Sequence, residues 1–218
     1  MNSDLMTVRV AQLLEAYDKQ PYTNEYDGFQ LTIGKGVFPT DVSLASFKLG
    51  QILGNYHPEY ALDMGCGCGY LALVMSRNGV PHVYAADVHP PAVTCTLENV
   101  QKNPEVPPIK VRLSNLFENV EEYLKFDLIV FNHFYRPGGT SVFGPTDDGG
   151  KAIFQRFLND AKLRLRAGGV VLATFLDLSD LDNDPKTIAL ESGFKVKTLL
   201  TEKNHQDIGN LFIYEISL

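Results

Sequence analysis

Residues 60–70 constrain the fold of this chain more than any other part of its sequence. An apolar segment runs through Asp63 into the alternating glycines Gly65, Gly67 and Gly69. Glycine lacks the Cβ that would keep a ligand away from the backbone, so this density of glycine indicates a turn that approaches another group closely. The spacing G-x-G-x-G matches neither the phosphate loop G-x-x-x-x-G-K-[ST] nor the dinucleotide fingerprint G-x-G-x-x-G. A strand before the turn, a helix after it and an acidic residue ending the next strand would mark a nucleotide-type binding loop.

Alternating strand and helix patterns from residue 59 onward supply that context. The run 126–131 is nearly continuous in apolar residues, which is typical of a strand buried on both faces. We therefore predict an α/β fold with a doubly wound, mostly parallel sheet and a ligand outside the carboxyl ends of its strands. The predicted strands are 60–64, 82–86 ending at Asp87, 109–113, 126–131, 170–175, 194–200 and 211–217. The predicted helices are 69–79, 91–102, 149–166 and 185–192.

The residues before the glycine turn predict a smaller set of elements. A moderate helical periodicity covers 5–17, and 29–33 alternates like a short strand. Thr40 and Asp41 are suited to cap a helix over 42–56.

Length and composition favour one soluble domain. The chain has 218 residues, of which 44% are hydrophobic and 21% charged, close to the averages for globular proteins. Its first residues lack the pattern of a signal peptide, and no run approaches the roughly 18 apolar residues of a membrane span. We therefore expect a cytoplasmic protein without membrane contact.

The cysteines and the net charge narrow the classes of ligand. Three cysteines in a chain without an export signal indicate free thiols. Cys66 and Cys68 alternate with glycines and have no second Cys/His pair nearby, so we expect no metal site. A net charge of −7 disfavours extended binding of a phosphate backbone, although a local basic patch remains compatible with it.

On these residues, and over about 28–218, the chain resembles the class I S-adenosylmethionine-dependent methyltransferases. Residues 63–69 look like the first motif of that family, D-x-G-x-G-x-G. Residues 83–87 look like its second motif, whose acidic residue binds the ribose hydroxyls. An ionised carboxylate can accept both hydroxyl protons, and the alternative role for this acid is stabilisation of a helix N-terminus. The resemblance implies S-adenosylmethionine as the cofactor, bound at these two motifs by Asp63, Gly65, Cys66, Gly67, Gly69 and Asp87.

The resemblance extends to further parts of the cofactor site. Asn115 stands where the family usually has an aspartate that accepts a hydrogen bond from the adenine amino group, and its carbonyl oxygen can accept the same bond. Leu116 is expected either to pack on the adenine or to belong to the core. Phe38 and Thr40 would line the pocket. The last two strands resemble the antiparallel hairpin that closes the family's sheet, so we expect a single methyltransferase domain over 1–218, with an N-terminal extension and cap at 1–58 and a cofactor-binding core at 59–218.

The end of the fourth core strand bears on the methyl acceptor. Residues 132–135 resemble, with two substitutions, the N-P-P-Y motif of methyltransferases that modify nitrogen in a planar amide or aryl amine. Such a nitrogen has a delocalised lone pair, so its hydrogens must be held in a new geometry before it can attack. We expect the Asn132 side-chain carbonyl and the His133 backbone carbonyl to accept those hydrogens, Tyr135 to stack on the acceptor, and Asn132 to border the cofactor as well.

The substitutions leave alternatives open. His133 and Phe134 replace two prolines, so the loop lacks their backbone restriction, and His133 is a candidate general base. The leading hypothesis is methyl transfer to a planar nitrogen in a protein or small molecule, with an RNA base as a further acceptor. The alternatives are O-methylation of a small molecule and a non-catalytic cofactor-binding scaffold. The sequence leaves the acceptor and the oligomeric state open.

Overall fold

Alternating strands and helices build the chain, and their order follows the sequence pattern. A computed structural model describes residues 3–133, 150–177, 184–205 and 209–218. The helices are α1 (Ser3–Asp18), a 3-10 turn (Thr40–Val42), α2 (Leu44–Leu53), α3 (Tyr70–Arg77), α4 (Pro90–Lys102), α5 (Lys151–Arg164) and α6 (Pro185–Glu191). The strands are β1 (Tyr22–Tyr26), β2 (Phe29–Ile33), β3 (Tyr60–Met64), β4 (His82–Asp87), β5 (Ile109–Leu113), β6 (Phe126–Phe131), β7 (Leu165–Leu176), β8 (Lys195–His205) and β9 (Gly209–Ser217).

Seven strands form one sheet in the order β5-β4-β3-β6-β7-β9-β8. The first five strands in this order run parallel, and β9 is antiparallel to both β7 and β8. The predicted fold class is confirmed. Because β4, β3 and β6 are neighbours, their carboxyl ends bring the glycine turn, Asp87 and Asn132 to one edge of the sheet, where ligands bind in open α/β sheets.

The helix α5 shows why the sequence folds in this way. Its buried residues Phe154, Phe157, Leu158 and Ala161 recur at helical spacing and are fully covered. They pack in one hydrophobic cluster with the alternate strand residues that face them, such as Phe131. Burying each large side chain contributes about 1.5–3 kcal/mol relative to leaving it in water, so this stripe holds α5 against the sheet.

The strand β1 was not predicted from the sequence. Its polar residues Asn24 and Glu25 are exposed and have low strand propensity. It pairs with β2 in a separate antiparallel hairpin whose turn residues, Asp27 and Gly28, have φ of +51° and +78°. An Asp-Gly turn with both φ positive matches the right-handed twist of a hairpin. The Asp-Gly pair is therefore the sequence feature that indicates the hairpin of β1 and β2.

Asparagines of α4 take the place of a neighbouring strand for β2. Asn99 accepts a hydrogen bond from the Thr32 N–H at 2.7 Å and donates to the Thr32 carbonyl at 2.8 Å. Asn103 bonds both backbone groups of Gln30 at 3.0 Å. Asn99 and Asn103 are four residues apart on the helix, a rise of about 6 Å. Gln30 and Thr32 are two residues apart on the strand, a rise of about 6.7 Å, so the two spacings match. Asn99 also donates to the Cys68 carbonyl at 2.8 Å, which ties β2 to the glycine turn.

We expect Asn99→Ala to lower the free energy of unfolding by about 2–3 kcal/mol. The substitution leaves the Thr32 N–H and the Cys68 carbonyl without this partner, whereas the Thr32 carbonyl keeps the Cys95 thiol as a donor. Each unsatisfied group costs about 1–3 kcal/mol. Urea denaturation measures the change, and Glu98→Ala, on the exposed side of the same helix, is the matched control. A loss equal to that of the control would contradict the role assigned to Asn99.

Several predicted boundaries were wrong, among them that of β8, which was predicted over 194–200 and runs from Lys195 to His205. The helix predicted over 42–56 is a 3-10 turn followed by α2, because Ser43 is extended at φ −103° and ψ 100° and separates the two. The strand predicted over 170–175 begins at Leu165, and the register between β6 and β7 shifts where Gly168 has φ +77°. Within the part of the chain that the structure describes, no helix has the length and apolar character needed to span a membrane.

Candidate active site

The glycine turn after β3 directs its backbone N–H groups into the protein. The N–H groups of Gly65 and Cys66 donate to the Ala86 carbonyl at 2.7 and 3.1 Å. That of Gly67 donates to the Asp87 carboxylate at 2.9 Å, and that of Gly69 to the Cys66 carbonyl at 2.7 Å. A phosphate-binding loop instead offers its N–H groups to the ligand. The turn therefore suits a ligand that carries no phosphate at this position, which agrees with the glycine spacing.

The three glycines differ in what they permit. They have φ of +71°, +57° and +82°, a region that favours glycine. A Cβ added to Gly67 would have no atom of the described residues within 4 Å, and one on Gly65 would lie 3.6 Å from the Phe131 ring. A Cβ on Gly69 would lie 2.7 Å from the Thr96 Cγ2 atom. Gly67 thus leaves open space for a ligand, Gly65 lies against the Phe131 ring, and the packing of α3 against α4 already requires Gly69. A cofactor contact of Gly69 stays a prediction.

The thiols of the turn face the interior. Cys66 lies 3.3 Å from the Thr96 hydroxyl, and Cys68 donates to the Thr40 Oγ1 atom at 3.3 Å. Burial raises the pKa of the Cys66 thiol and raises the pKa of Cys68 to about 12, so both are neutral. The Cys66 backbone is also engaged, since its N–H donates to Ala86 and its carbonyl accepts from Gly69, and a cofactor contact of Cys66 stays a prediction. In residues 3–133, 150–177, 184–205 and 209–218, no cluster of His, Cys, Asp or Glu side chains has the arrangement of a metal site.

Asp87 ends β4 beside the turn and is oriented by two backbone donors. Its Oδ2 atom accepts from Gly67 N–H and its Oδ1 atom from His89 N–H, both at 2.9 Å. Burial raises the pKa of Asp87, and these two bonds oppose the rise. A carboxylate has about four acceptor positions, so about two remain for ligand hydroxyls. The N-cap of α4 is His89, so Asp87 does not itself cap that helix, and its ribose role stays a prediction.

Asp63 lies beneath the turn and is 1% exposed. It accepts a hydrogen bond from the Ala72 N–H at 3.1 Å, so it joins the end of β3 to the first turn of α3. Burial raises the pKa of Asp63 to about 7, with a smaller contribution from the charge of Asp87. The hydrogen bond explains its position structurally, and direct contact with a cofactor stays a prediction.

The raised pKa of Asp63 predicts a pH-dependent stability. In the unfolded chain the pKa is about 3.9, and one pKa unit corresponds to about 1.4 kcal/mol. The folded state holds this proton more tightly, so the stabilisation is fully present below about pH 4 and is lost as the pH rises to about 7. We expect the wild type to lose about 2 kcal/mol more stability than Asp63→Asn between about pH 5 and pH 8, measured by urea denaturation.

The titration of His133 changes the stability with pH in the opposite direction, because burial lowers the pKa of this residue to about 4. The comparison with Asp63→Asn removes this effect, since both proteins retain His133. Asp18→Asn, at an exposed position, is the control. Equal pH slopes for the wild type and Asp63→Asn would contradict the buried titration.

The segment predicted to meet the adenine follows β5, beside Asp87. The Asn115 amide donates to the Glu118 Oε1 atom at 2.9 Å, and its carbonyl accepts from Arg156 on α5. The carbonyl retains a second lone pair for another donor. Leu116 has φ +52° and is 7% exposed, so the backbone is constrained and the side chain belongs to the hydrophobic cluster beneath α5.

Three side chains near Asn115 and Asp87 were not predicted from the sequence. Arg156 reaches Asn115 from another element. Val88 and Leu113 are 54% and 48% exposed, and Leu113 pairs with Asp87 across β4 and β5. Exposed apolar residues beside an oriented carboxylate offer a surface to a planar base. The apolar residue directly after Asp87 was a signal in the sequence.

The segment at Phe38 and Thr40 borders the glycine turn. Thr40 is buried, and its hydroxyl oxygen accepts from Cys68 and lies 3.5 Å from the Phe38 carbonyl. A Cβ on Gly36 would lie 3.6 Å from the His89 ring. The N-terminal segment therefore lies along both the turn and the residues after Asp87, and a cofactor contact of Phe38 or Thr40 stays a prediction.

Asn132 and His133 follow β6, and Phe131 pairs with Met64 directly before Gly65. The Asn132 amide donates to the Ser46 Oγ atom at 2.9 Å, and its carbonyl accepts from the Thr174 hydroxyl. The His133 ring stacks on Phe131 with centroids 5.0 Å apart. Its lowered pKa makes it neutral at physiological pH and a weak base. Phe134 and Tyr135 lie outside the described residues.

Comparison with known proteins places the chain in a family. A model of the methyltransferase small domain matches residues 29–206. A ribosomal protein L11 methyltransferase of Lactobacillus gasseri is 30% identical over 145 residues, which cover 66% of this chain and 40% of that protein. One of Thermotoga neapolitana is 44% identical over 102 residues, 47% of this chain and 36% of that protein. The chain thus spans less than half the length of these relatives.

Solved structures show the same fold. The T. Thermophilus 16S rRNA N2 G1207 methyltransferase, in complex with AdoMet and guanosine, has a TM-score of 0.64 at 22% identity and covers 90% of this chain and 49% of that one. A methyltransferase from Pyrococcus furiosus has a TM-score of 0.65 at 17% identity and covers 97% of both chains. The resemblance predicted from the glycine turn is confirmed at the level of the family: the chain belongs to the methyltransferase small domain family.

Proposed function

We propose that this chain binds S-adenosylmethionine at the glycine turn and Asp87 and transfers its methyl group to a nitrogen of a planar amide or amine, in a protein or small molecule. The observation that carries the proposal is the Asn132 amide, which is held by two hydroxyl groups at the carboxyl edge of the sheet, beside Gly65.

The residues at the turn fit this cofactor. The N–H groups of Gly65, Cys66, Gly67 and Gly69 are bonded within the protein. Gly67 leaves room for close approach, and Asp87 retains acceptor positions for ribose hydroxyls. Val88 and Leu113 offer apolar surface beside that carboxylate. When bound, S-adenosylmethionine supplies an activated methyl group and a neutral leaving group.

The chain's part in transfer is to orient the acceptor. The Asn132 carbonyl has one lone pair engaged by Thr174. Its second lone pair can accept a hydrogen bond from an N–H of the methyl-accepting substrate. Fixing that hydrogen turns the nitrogen lone pair out of conjugation and toward the methyl group. Orientation of this kind supplies a large part of a rate enhancement without a strong base.

The chemistry of His133 disfavours the O-methyltransferase alternative. Transfer to a hydroxyl group gains from a base whose pKa lies near the operating pH, whereas burial lowers the pKa of His133 to about 4. The proposal assigns its backbone carbonyl as a second hydrogen-bond acceptor for the substrate nitrogen.

Several observations support a protein as the acceptor. The curated relatives cited above are ribosomal protein L11 methyltransferases, and the net charge of −7 opposes an extended contact with RNA phosphates. The structural similarity to an rRNA methyltransferase is at 22% identity and therefore concerns the fold alone.

The test combines cofactor binding with methyl transfer. Calorimetry measures binding of S-adenosylmethionine, and tritiated cofactor is then supplied with purified ribosomal protein L11, ribosomal RNA, or the protein, RNA and small-molecule fractions of a cell extract. We expect label on nitrogen in a protein or small molecule, identified by mass spectrometry. Label on RNA or on oxygen would contradict the proposed acceptor, binding without transfer would favour a scaffold, and absence of binding would overturn the proposal.

A further inference from the structure

We infer that Thr174 and Ser46 are positioning residues, whose hydroxyl groups fix the Asn132 amide with its carbonyl directed to receive a substrate N–H. This inference rests on the proposed transfer to nitrogen and names the residues that prepare the site for it. Neither residue was predicted from the sequence.

The contacts hold the amide from two separate elements. Asn132 Nδ2 donates to the Ser46 hydroxyl oxygen on α2 at 2.9 Å, and the Thr174 hydroxyl on β7 donates to Asn132 Oδ1. Ser46 and Thr174 are 3% and 5% exposed. Both hydroxyl groups are therefore shielded from solvent, where a hydrogen bond constrains geometry more strongly than at the surface.

A third hydroxyl group determines which end of the amide faces Ser46. Ser46 donates to the Ser43 hydroxyl oxygen at 3.4 Å, so its hydrogen is used and its oxygen acts as an acceptor toward Asn132. The NH2 end of Asn132 then faces Ser46, and the carbonyl faces Thr174. The hydrogen-bond chain Ser43–Ser46–Asn132–Thr174 thus selects one of the two amide orientations.

In the selected orientation, the Asn132 amide keeps a free position for one substrate N–H. A side-chain amide has two N–H donors and two carbonyl lone pairs. One of each is used by Ser46 and Thr174, which leaves one lone pair for a substrate N–H. If the amide were reversed, its NH2 group would stand in the place of the carbonyl. Both that NH2 group and the substrate N–H are donors, so no hydrogen bond could form between them. Loss of the Thr174 hydroxyl should therefore reduce the fraction of molecules in the productive orientation.

The matched pair Thr174→Val and Thr174→Ser separates positioning from packing. Valine keeps the shape of threonine but removes the hydroxyl donor, and serine retains the donor while removing a methyl group. A purely structural role predicts that both variants act through stability alone, whereas positioning predicts that serine restores function and valine does not.

The first measurement observes the Asn132 side-chain amide directly and needs no methyl-accepting substrate. NMR follows the Asn132 side-chain NH2 pair, assigned by its absence in Asn132→Asp. We expect Thr174→Val to shift this pair and to accelerate its solvent exchange by about tenfold or more, and Thr174→Ser to resemble the wild type. Unchanged shifts and exchange in Thr174→Val would overturn the inference.

The second measurement uses tritiated S-adenosylmethionine with purified ribosomal protein L11 as the probe. We expect Thr174→Val to lower kcat by about 10- to 100-fold with the cofactor Kd within about twofold, and Thr174→Ser to recover kcat to within about threefold. Equal kcat in the wild type and Thr174→Val, or an equally slow Thr174→Ser, would overturn the inference. If the wild type labels no L11, that protein is not its acceptor, while the NMR measurement still decides whether Thr174 positions Asn132.

Discussion

Replacing Asp87 with alanine is expected to raise the Kd for S-adenosylmethionine by about 100-fold or more. The carboxylate offers about two free acceptor positions beside the glycine turn, and hydrogen bonds to a charged group contribute about 1.5–3 kcal/mol each. The same substitution removes the acceptor of the Gly67 N–H. Cofactor binding therefore loses both its ribose contact and the orientation of the turn.

Isothermal titration calorimetry on three variants tests this expectation. Asp87→Asn retains a carbonyl acceptor without the charge and should fall between the wild type and Asp87→Ala. Glu98→Ala removes an exposed carboxylate from the following helix α4 and should bind like the wild type. Circular dichroism establishes that each variant is folded. A folded Asp87→Ala protein that binds with wild-type affinity would contradict the ribose role and favour a purely structural one.

Replacing Asn132 with alanine is expected to lower kcat for methyl transfer by about 1,000-fold. Removal of one oriented hydrogen-bonding group from an active site costs about 100- to 1,000-fold, and loss of orientation adds to this cost. The Ser46 and Thr174 hydroxyl groups also lose their partner. Because Asp87 and the glycine turn are untouched, the cofactor Kd should stay within about fivefold.

Single-turnover transfer from tritiated cofactor, at saturating cofactor, isolates this effect from binding. Asn55→Ala, at an exposed position after α2, is the control for loss of an amide side chain. Full transfer activity in Asn132→Ala would show that Asn132 does not orient the acceptor. A large rise in cofactor Kd would instead support the predicted contact between Asn132 and the cofactor.

Local sequence patterns predicted most of the sheet. The strand β6 is a nearly continuous apolar run and β3 is apolar around Asp63. The glycine turn has its signature within a few residues, and Asp87 ends a strand. Each signal lies inside one element, where periodicity and turn chemistry act. The strand β1 escaped because it is polar and exposed, and its stability comes from pairing with β2 and from the docking of β2 on α4.

The roles within the turn needed the folded structure. The three glycines look equivalent in the sequence, yet only the position of Thr96 shows that Gly69 is required by packing. Likewise, Asp63 is acidic by type, but burial raises its pKa to about 7. Burial and packing depend on which elements become neighbours, which the residues of the turn do not encode locally.

The sequence by itself indicated the family through the resemblance of residues 63–69 and 83–87 to known motifs. It also determined the order of the core strands along the chain and the edge of the sheet where Asp87 and Asn132 lie, because these follow from local periodicity and from the rule that parallel strands share their carboxyl ends. The tertiary structure decided the partners at that edge. Asn132 meets Ser46 across 86 residues and Thr174 across 42, and Asn115 meets Arg156 across 41. No local pattern links such distant residues, since only the packing of α2, β7 and α5 around the parallel strands brings their side chains within hydrogen-bonding distance.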